Sequence, residues 1–393
     1  MAPTKQAFAP NPAIAEAAFK APPPVIILEV VALFFVPLVG NVDSSKTMST
    51  AISPAQMILF MVFRFQVNVR IFVLCVTCYV DNQCVTSIIN PDSSAKTPDE
   101  RLETDIAHFG ISTALLTPFH ADGSLNLPLL CEHANETLEN GVNGVTLFGT
   151  TGEGASIGFS ERAAAISALL DSGVSAQQMT LGLCASAISD VLVQVQQGVE
   201  FGICQFLLLP PFYFKGSQDT GLFEWHKELF DKADKRAKFI LYHIPQVTQV
   251  PLSVELVLQL RNAFPERVMA IKDSAGNWDN TRALLESGEI PVLVGDERLL
   301  HKAAAMGGAG SICGLANLYP RRMRTLFDSH VEDVALSADV DLIVSVPVIP
   351  ALKLIMMRRS GNESWGRLRA PLQALQGDDR KAIELGFASD STA

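Results

Sequence analysis

The chain is 393 residues long, 18% charged, with 30 Lys/Arg against 41 Asp/Glu and a formal net charge of −11. That length suits one large domain with extra segments, and an acidic chain without a basic run is a poor nucleic-acid binder. Seven cysteines without a dense framework point to reduced thiols and an intracellular, cytoplasmic setting; Cys75-x-x-Cys78 has metal-like spacing but no second pair, so no metal is expected.

The first hundred residues are a separate problem. Residues 25–39 are apolar but interrupted by Glu29 and Pro37, and are short for a membrane span. Residues 57–80 have the length of a span, yet carry Arg64, Gln66, Asn68 and Arg70 near the middle, where polar groups are costly. Their Val, Ile, Phe and Cys content suits strand more than helix. The first twenty residues lack the charged start and apolar core of a secretory signal. Three readings of residues 1–105 stay open: a weak membrane anchor, an unusual organellar leader, or sequence foreign to the mature protein. The third is the expectation, and membrane contact is not expected. A chain starting near Asp105 should then stay soluble and active.

From about Gly110 short apolar runs alternate with amphipathic stretches. The runs fall at 111–116, 144–148, 179–183, 204–209, 239–242, 268–271, 292–294 and 310–312. The amphipathic stretches begin near Asn126, Ser160, Ile188, Gly221, Ser253, Asn277, Glu297 and Tyr319. Eight strand-then-helix units predict parallel pairing with right-handed crossovers. About 220 residues for eight units fits a (β/α)8 TIM barrel of roughly 250 residues, here placed at 106–330. Residues 331–393 are predicted to form a C-terminal helical subdomain, with helices over 363–375 and 379–385 among its elements.

Three features lie at the carboxyl ends of predicted strands, where such barrels carry their active sites. After the second run comes Gly149-Thr150-Thr151-Gly152-Glu153. Its glycines let backbone N–H groups approach a small anion, and its hydroxyls add donors. The fifth run ends in Tyr242, whose phenol could move a proton. The sixth ends at Lys272, where lost hydration favours the neutral amine that attacks ketones. Each alone has a plainer reading: an ordinary loop, a packed aromatic, the solvated end of a strand. Together they form one constellation on one face.

Those segments carry a resemblance. Residues 110 to about 375 resemble the family of dihydrodipicolinate synthase and N-acetylneuraminate lyase, class I aldolases that handle pyruvate through a Schiff base. The Gly/Thr turn resembles the family's carboxylate-binding turn, Tyr242-His243-Ile244-Pro245 its Tyr-Asn-(Ile/Val)-Pro signature, and Ile271-Lys272-Asp273-Ser274 its Schiff-base segment. Gly295-Asp296-Glu297 and Gly310-Ser311-Ile312 resemble later elements lining the pocket, so Gly295 and Ile312 join the substrate-binding candidates.

The resemblance implies that Lys272 condenses with a 2-oxo acid such as pyruvate, with an aldehyde as the other partner and no further cofactor. Thr150 and Thr151 would hold the carboxylate. Tyr242 would carry protons, in a relay with Thr151 and a second tyrosine from a neighbouring subunit; Tyr213 matches that position, and packing at a subunit interface stays open beside it. A homotetramer or dimer follows. Val247 stands where the synthase proper has an arginine for a second carboxylate, so a sugar-derived 2-oxo acid is expected as substrate, in aldol cleavage, condensation or dehydration. His243 replaces the usual asparagine and is read as packing. The alternatives are 4-hydroxy-tetrahydrodipicolinate synthase itself, or a silent 2-oxo-acid-binding barrel.

Overall fold

A computed structural model describes residues 109–388 and, upstream, strands β1 (Cys75–Val80) and β2 (Gln83–Ile88). The chain divides into two compact units, residues 1–95 and 96–393. In the first, β1 and β2 pair antiparallel, from Cys75↔Ile88 to Val80↔Gln83. Strand therefore forms over the last six residues of the 57–80 stretch. The candidate anchor at 25–39 and, apart from these two strands, the whole of residues 1–108 lie outside the described residues, and with them the three readings of residues 1–105.

The second unit contains a closed barrel of eight parallel strands. These are β3 (Gly110–Ala114), β4 (Gly144–Leu147), β5 (Met179–Leu183), β6 (Gln205–Leu208), β7 (Lys238–His243), β8 (Val268–Asp273), β9 (Val292–Val294) and β10 (Gly310–Cys313). Neighbours follow chain order, and β10 closes onto β3 with Gly310 opposite Gly110. That seam needs glycine: a side-chain carbon on Gly310 would fall 1.9 Å from the Gly110 carbonyl oxygen. The strands are covered on both sides, which is why they read as continuous apolar runs rather than alternating ones. Ala114, Leu207, Ile240, Met269, Leu293 and Ile312 fill the lumen.

Side-chain caps place several helix starts. Asn126 accepts from the Leu129 N–H at 3.2 Å, Ser253 from Leu256 at 3.0 Å and Asn277 from Asp279 at 3.0 Å. Each cap satisfies an N–H with no partner inside its helix. The helices Leu127–Glu139, Val254–Ala263 and Trp278–Ser287 begin one residue later. The seventh unit departs from a single helix: Glu297–Leu299 is a tight 3₁₀ turn before Leu300–Ala305.

After the barrel come helices Val334–Val344, Val348–Ser360 and Gly377–Gly386. Leu336, Val340, Leu352, Trp365 and Ile383 share an apolar cluster with barrel residues Ile111, Leu116 and Val294. The helix predicted over 363–375 does not form. Only a 3₁₀ turn, Glu363–Gly366, is present, followed by an irregular strap. Pro371 offers no N–H, and the residue before a proline disfavours helix. The Arg369 N–H is also drawn elsewhere, donating to Glu153 at 3.1 Å. Among the described residues no single helix is long and apolar enough to cross a membrane. Val334–Val344 and Val348–Ser360 meet that test only as a pair bent by 117°.

Candidate active site

The ladder between β7 and β8 sets Tyr242 directly opposite Lys272. Lys272, expected just past its strand, is the penultimate residue of β8, because pairing continues to His243↔Asp273. The lysine is only 5% exposed. Its Nζ donates to the Tyr242 hydroxyl at 3.2 Å and lies 4.3 Å from the centre of that ring. The Tyr242 hydroxyl in turn stands 3.5 Å from Thr150 Oγ1. Amine, phenol and threonine hydroxyl thus form one line across three strand ends.

Close packing holds the lysine in place. A side-chain carbon on Gly295 would fall 1.8 Å from Ser274 Oγ and 3.1 Å from Lys272 Cε. Only glycine leaves the lysine stem its channel. Asp273, the next residue, accepts from the Ala275 N–H at 3.0 Å, the Asn280 amide at 3.0 Å and the Thr281 hydroxyl at 2.7 Å. Those bonds tie the end of β8 to the following helix. Burial pushes the Glu297 carboxyl above the usual range, the Leu315 N–H and the Lys272 charge opposing it. Ile312 is fully buried and shares the lumen cluster with Tyr242.

The Gly/Thr turn bends around one carbonyl. Phe148 adopts φ +58°, rare for a non-glycine residue. Side-chain carbons on Gly154 and Gly182 would fall 1.8 Å and 2.4 Å from its carbonyl oxygen. Arg162 covers the Phe148 ring at 4.2 Å and donates to the Gly182 carbonyl at 2.7 Å. The hydroxyl that meets Tyr242 belongs to Thr150, not to Thr151 as the sequence suggested. Thr151 lies towards Gly314, where an added carbon would be 3.6 Å from its Oγ1. Phe148, Gly149, Gly182, Leu207 and Leu209 line a narrow apolar cleft over Tyr242.

Three sequence candidates stand differently. Tyr213 is 77% exposed and packs edge-on against Phe214, with ring centres 5.7 Å apart, so it joins no relay within its own chain. Val247 sits on the short helix Pro245–Thr248 and is 56% exposed, without a donor to offer. His243 is buried, its Nδ1 accepting from the Leu252 N–H at 3.0 Å. Burial depresses its pKa against the pull of Asp273. A neutral, packed imidazole matches the reading from sequence.

Sequence reasoning gave no role to Glu153 or Lys353. They form an ion pair with both side chains fully buried. Burial pulls the Lys353 pKa down, and Glu153 pulls it back. A lone lysine inside the apolar stretch 346–357 was the available signal.

Comparisons with known proteins agree with this geometry. The model of the dihydrodipicolinate synthetase family matches residues 107–378. An uncharacterized DapA-like lyase of Chloroflexus aurantiacus is 31% identical over 287 residues, covering 71% of this chain and 95% of that protein. A 4-hydroxy-tetrahydrodipicolinate synthase of Thioalkalivibrio sulfidiphilus is 28% identical over 241 residues, covering 60% and 80%. The crystal structure of dihydrodipicolinate synthase from Agrobacterium tumefaciens superposes with a TM-score of 0.69 at 40% identity, covering 72% of this chain and 99% of that one. A lysine and tyrosine facing each other at the mouth of a (β/α)8 barrel, in a chain the family model spans from the first barrel strand into the last helix, place this protein in the dihydrodipicolinate synthetase family of lyases.

Proposed function

We propose that Lys272 forms a Schiff base with a pyruvate-derived 2-oxo acid and that the bound imine drives aldol cleavage, condensation or dehydration. The observation carrying this is the 3.2 Å contact between Lys272 Nζ and the Tyr242 hydroxyl in a buried site. The amine attacks the ketone carbon while the Tyr242 hydroxyl protonates the departing oxygen, and loss of water leaves the iminium. That iminium withdraws electrons from the adjacent carbon. Cleavage of the bond from that carbon to the hydroxyl-bearing carbon, with the hydroxyl proton passing to the Tyr242 phenolate left by the first step, releases an aldehyde and leaves an enamine; Tyr242 returns that proton to the enamine carbon, and hydrolysis of the imine releases pyruvate and the free lysine. The Thr151 hydroxyl and the backbone N–H groups of Thr150 and Thr151 have no acceptor among the described residues, which suits them to a substrate carboxylate. Tyr213, exposed on its loop, suits contact with a second copy in a homotetramer or dimer.

Val247 favours neutral, hydroxylated aldehydes over aspartate semialdehyde, because it gives a second carboxylate no fork of donors. At this half-exposed position the difference is the missing charged bond, of order 1–3 kcal/mol at most because water still reaches the carboxylate. The second reading, 4-hydroxy-tetrahydrodipicolinate synthase, is favoured by the names of relatives at 28–40% identity. Two measurements decide. Borohydride with pyruvate should add a stable mass to Lys272; no label would leave a silent binding barrel. The ratio of kcat/KM for neutral and carboxylated aldehydes should favour the neutral ones, and Val247→Arg should move it towards the carboxylated one. Efficient use of aspartate semialdehyde by the unmodified protein would restore the synthase.

A further inference from the structure

The Glu153–Lys353 pair has no part in the chemistry above, yet it joins two segments 200 residues apart in a site closed to water. Glu153 ends the Gly/Thr turn with φ +55°, a left-handed conformation unfavourable for a side chain of its kind. Both of its oxygens are engaged. Oε1 accepts from Lys353 Nζ, and Oε2 accepts from the Arg369 N–H at 3.1 Å. Lys353 also donates to the Arg367 carbonyl at 2.6 Å and lies 4.3 Å from the centre of the Phe119 ring. The Arg369 guanidinium continues the clamp, donating to Glu161, to the Ser156 carbonyl at 2.7 Å and to the Gly123 carbonyl at 2.7 Å.

The turn makes few bonds of its own, and from outside it the Thr117 hydroxyl donates to the Gly152 carbonyl at 2.7 Å. Its internal bonds are Glu153 N–H to the Thr150 carbonyl at 3.1 Å and Gly154 N–H to the Gly149 carbonyl at 3.0 Å. The helix carrying Lys353 reaches the turn a second time. At Gly314 an added carbon would lie 3.1 Å from Leu352 Cδ1 and 3.6 Å from Thr151 Oγ1, so helix and threonine close on the same glycine. A plain packing helix would supply Leu352 alone. A buried charge is costly to hold and, against a hydrophobic pair, does little for stability, so its presence at this one loop asks for another use.

We infer that Glu153 and Lys353 are positioning residues of the substrate-carboxylate site, their buried pair holding the Thr150-Thr151 donors in register with Lys272. The inference rests on the assignment of that turn to the carboxylate made under Proposed function. The C-terminal strap and the helix Val348–Ser360 thereby act on the binding of the acid end of the substrate, while Lys272 and Tyr242 are held by their own strands.

The test separates the two ends of the substrate. Lys272 is trapped with borohydride over rising concentrations of pyruvate, or of acetone, which lacks the carboxylate, and labelling is read by mass. Glu153→Gln and Lys353→Met should each raise the pyruvate half-saturation roughly tenfold or more while acetone labelling stays within about twofold, as loss of a bond to a charged group predicts. A role in stability alone would lower both probes together. If a single variant fails to fold, Glu153→Leu with Lys353→Met removes both charges, leaves none unpaired, and should keep the selective loss towards pyruvate. Unchanged pyruvate saturation in any folded variant, or an equal fall with acetone, overturns the inference. Thr151→Val is the reference. If it too leaves pyruvate saturation unchanged, the carboxylate assignment fails; if it alone raises it, only the positioning role fails.

Discussion

Tyr242→Phe tests the chemistry most directly, because it keeps the ring and removes one oxygen. That oxygen accepts from Lys272 Nζ at 3.2 Å and stands 3.5 Å from Thr150 Oγ1. The ring is 3% exposed and stays packed in the lumen, and the 4.3 Å contact of Lys272 Nζ with the ring survives. The stability loss is therefore one hydrogen bond, about 1 kcal/mol, far short of unfolding a domain. The catalytic loss is larger. A positioned acid/base group contributes roughly 10²–10⁴-fold, which is about 3–5 kcal/mol of barrier. Activity should fall by that factor while the urea midpoint barely moves. Single-turnover trapping should show that Lys272 still labels with pyruvate, but slowly, since the amine remains and the proton donor does not. An unchanged turnover number, or one that falls only in proportion to folded protein, would reassign Tyr242 to packing.

Lys272→Arg should abolish borohydride labelling with the fold intact, because a guanidinium stays protonated and cannot attack a carbonyl; labelling that persists would refute the Schiff base at this position. Gly295→Ala should force Ser274 Oγ from its 1.8 Å clash and shift the lysine stem at 3.1 Å, lowering the rate of imine formation roughly 10²-fold, and normal trapping kinetics would show that the channel tolerates a methyl. At the opposite end of the barrel, Arg267 donates to the carbonyls of Phe230 and Ala233 at 2.8 Å, Asp234 at 2.7 Å and Ala237 at 3.1 Å. Arg267→Ala should cost about 3 kcal/mol in urea unfolding, from bonds to a charged donor lost in a buried site, with KM for pyruvate unchanged; an unmoved midpoint would contradict that.

Much of this was legible because it is written locally. The strand β5 (Met179–Leu183) and β9 (Val292–Val294) coincide with their apolar runs, and Asn126, Ser253 and Asn277 mark helix starts through a bond made within two or three residues. Lys272 and Tyr242 were legible for a related reason: each is the penultimate residue of a strand in a fold whose strand ends make the site. What escaped depends on partners far away in the chain. The stretch 363–375 carries enough apolar spacing to suggest a helix, but its Arg369 answers to Glu153, Glu161 and Gly123, more than 200 residues upstream. Lys353 lies in an apolar helix for the same reason, and only the fold supplies its carboxylate. Thr150 rather than Thr151 meets Tyr242, and the turn before it carries Phe148 at φ +58°, a conformation no local pattern encodes.

The two halves of the site are consequently held by different physics. Tyr242 and Lys272 face each other across neighbouring strands, whose separation of about 4.8 Å is fixed by the ladder itself. Moving them apart means breaking the barrel, so their spacing should survive most substitutions around them. Thr150 and Thr151 sit beyond the ladder on a turn whose glycines allow many conformations, and freedom that admits an anion also lets the turn relax away from it. A buried carboxylate at the end of that turn, gripped from the C-terminal helix and strap, removes the freedom without adding a side chain to the cleft. Changes in the C-terminal helices and strap should therefore be felt first in how tightly the acid end of a substrate is held, and only later in the rate at which Lys272 reacts.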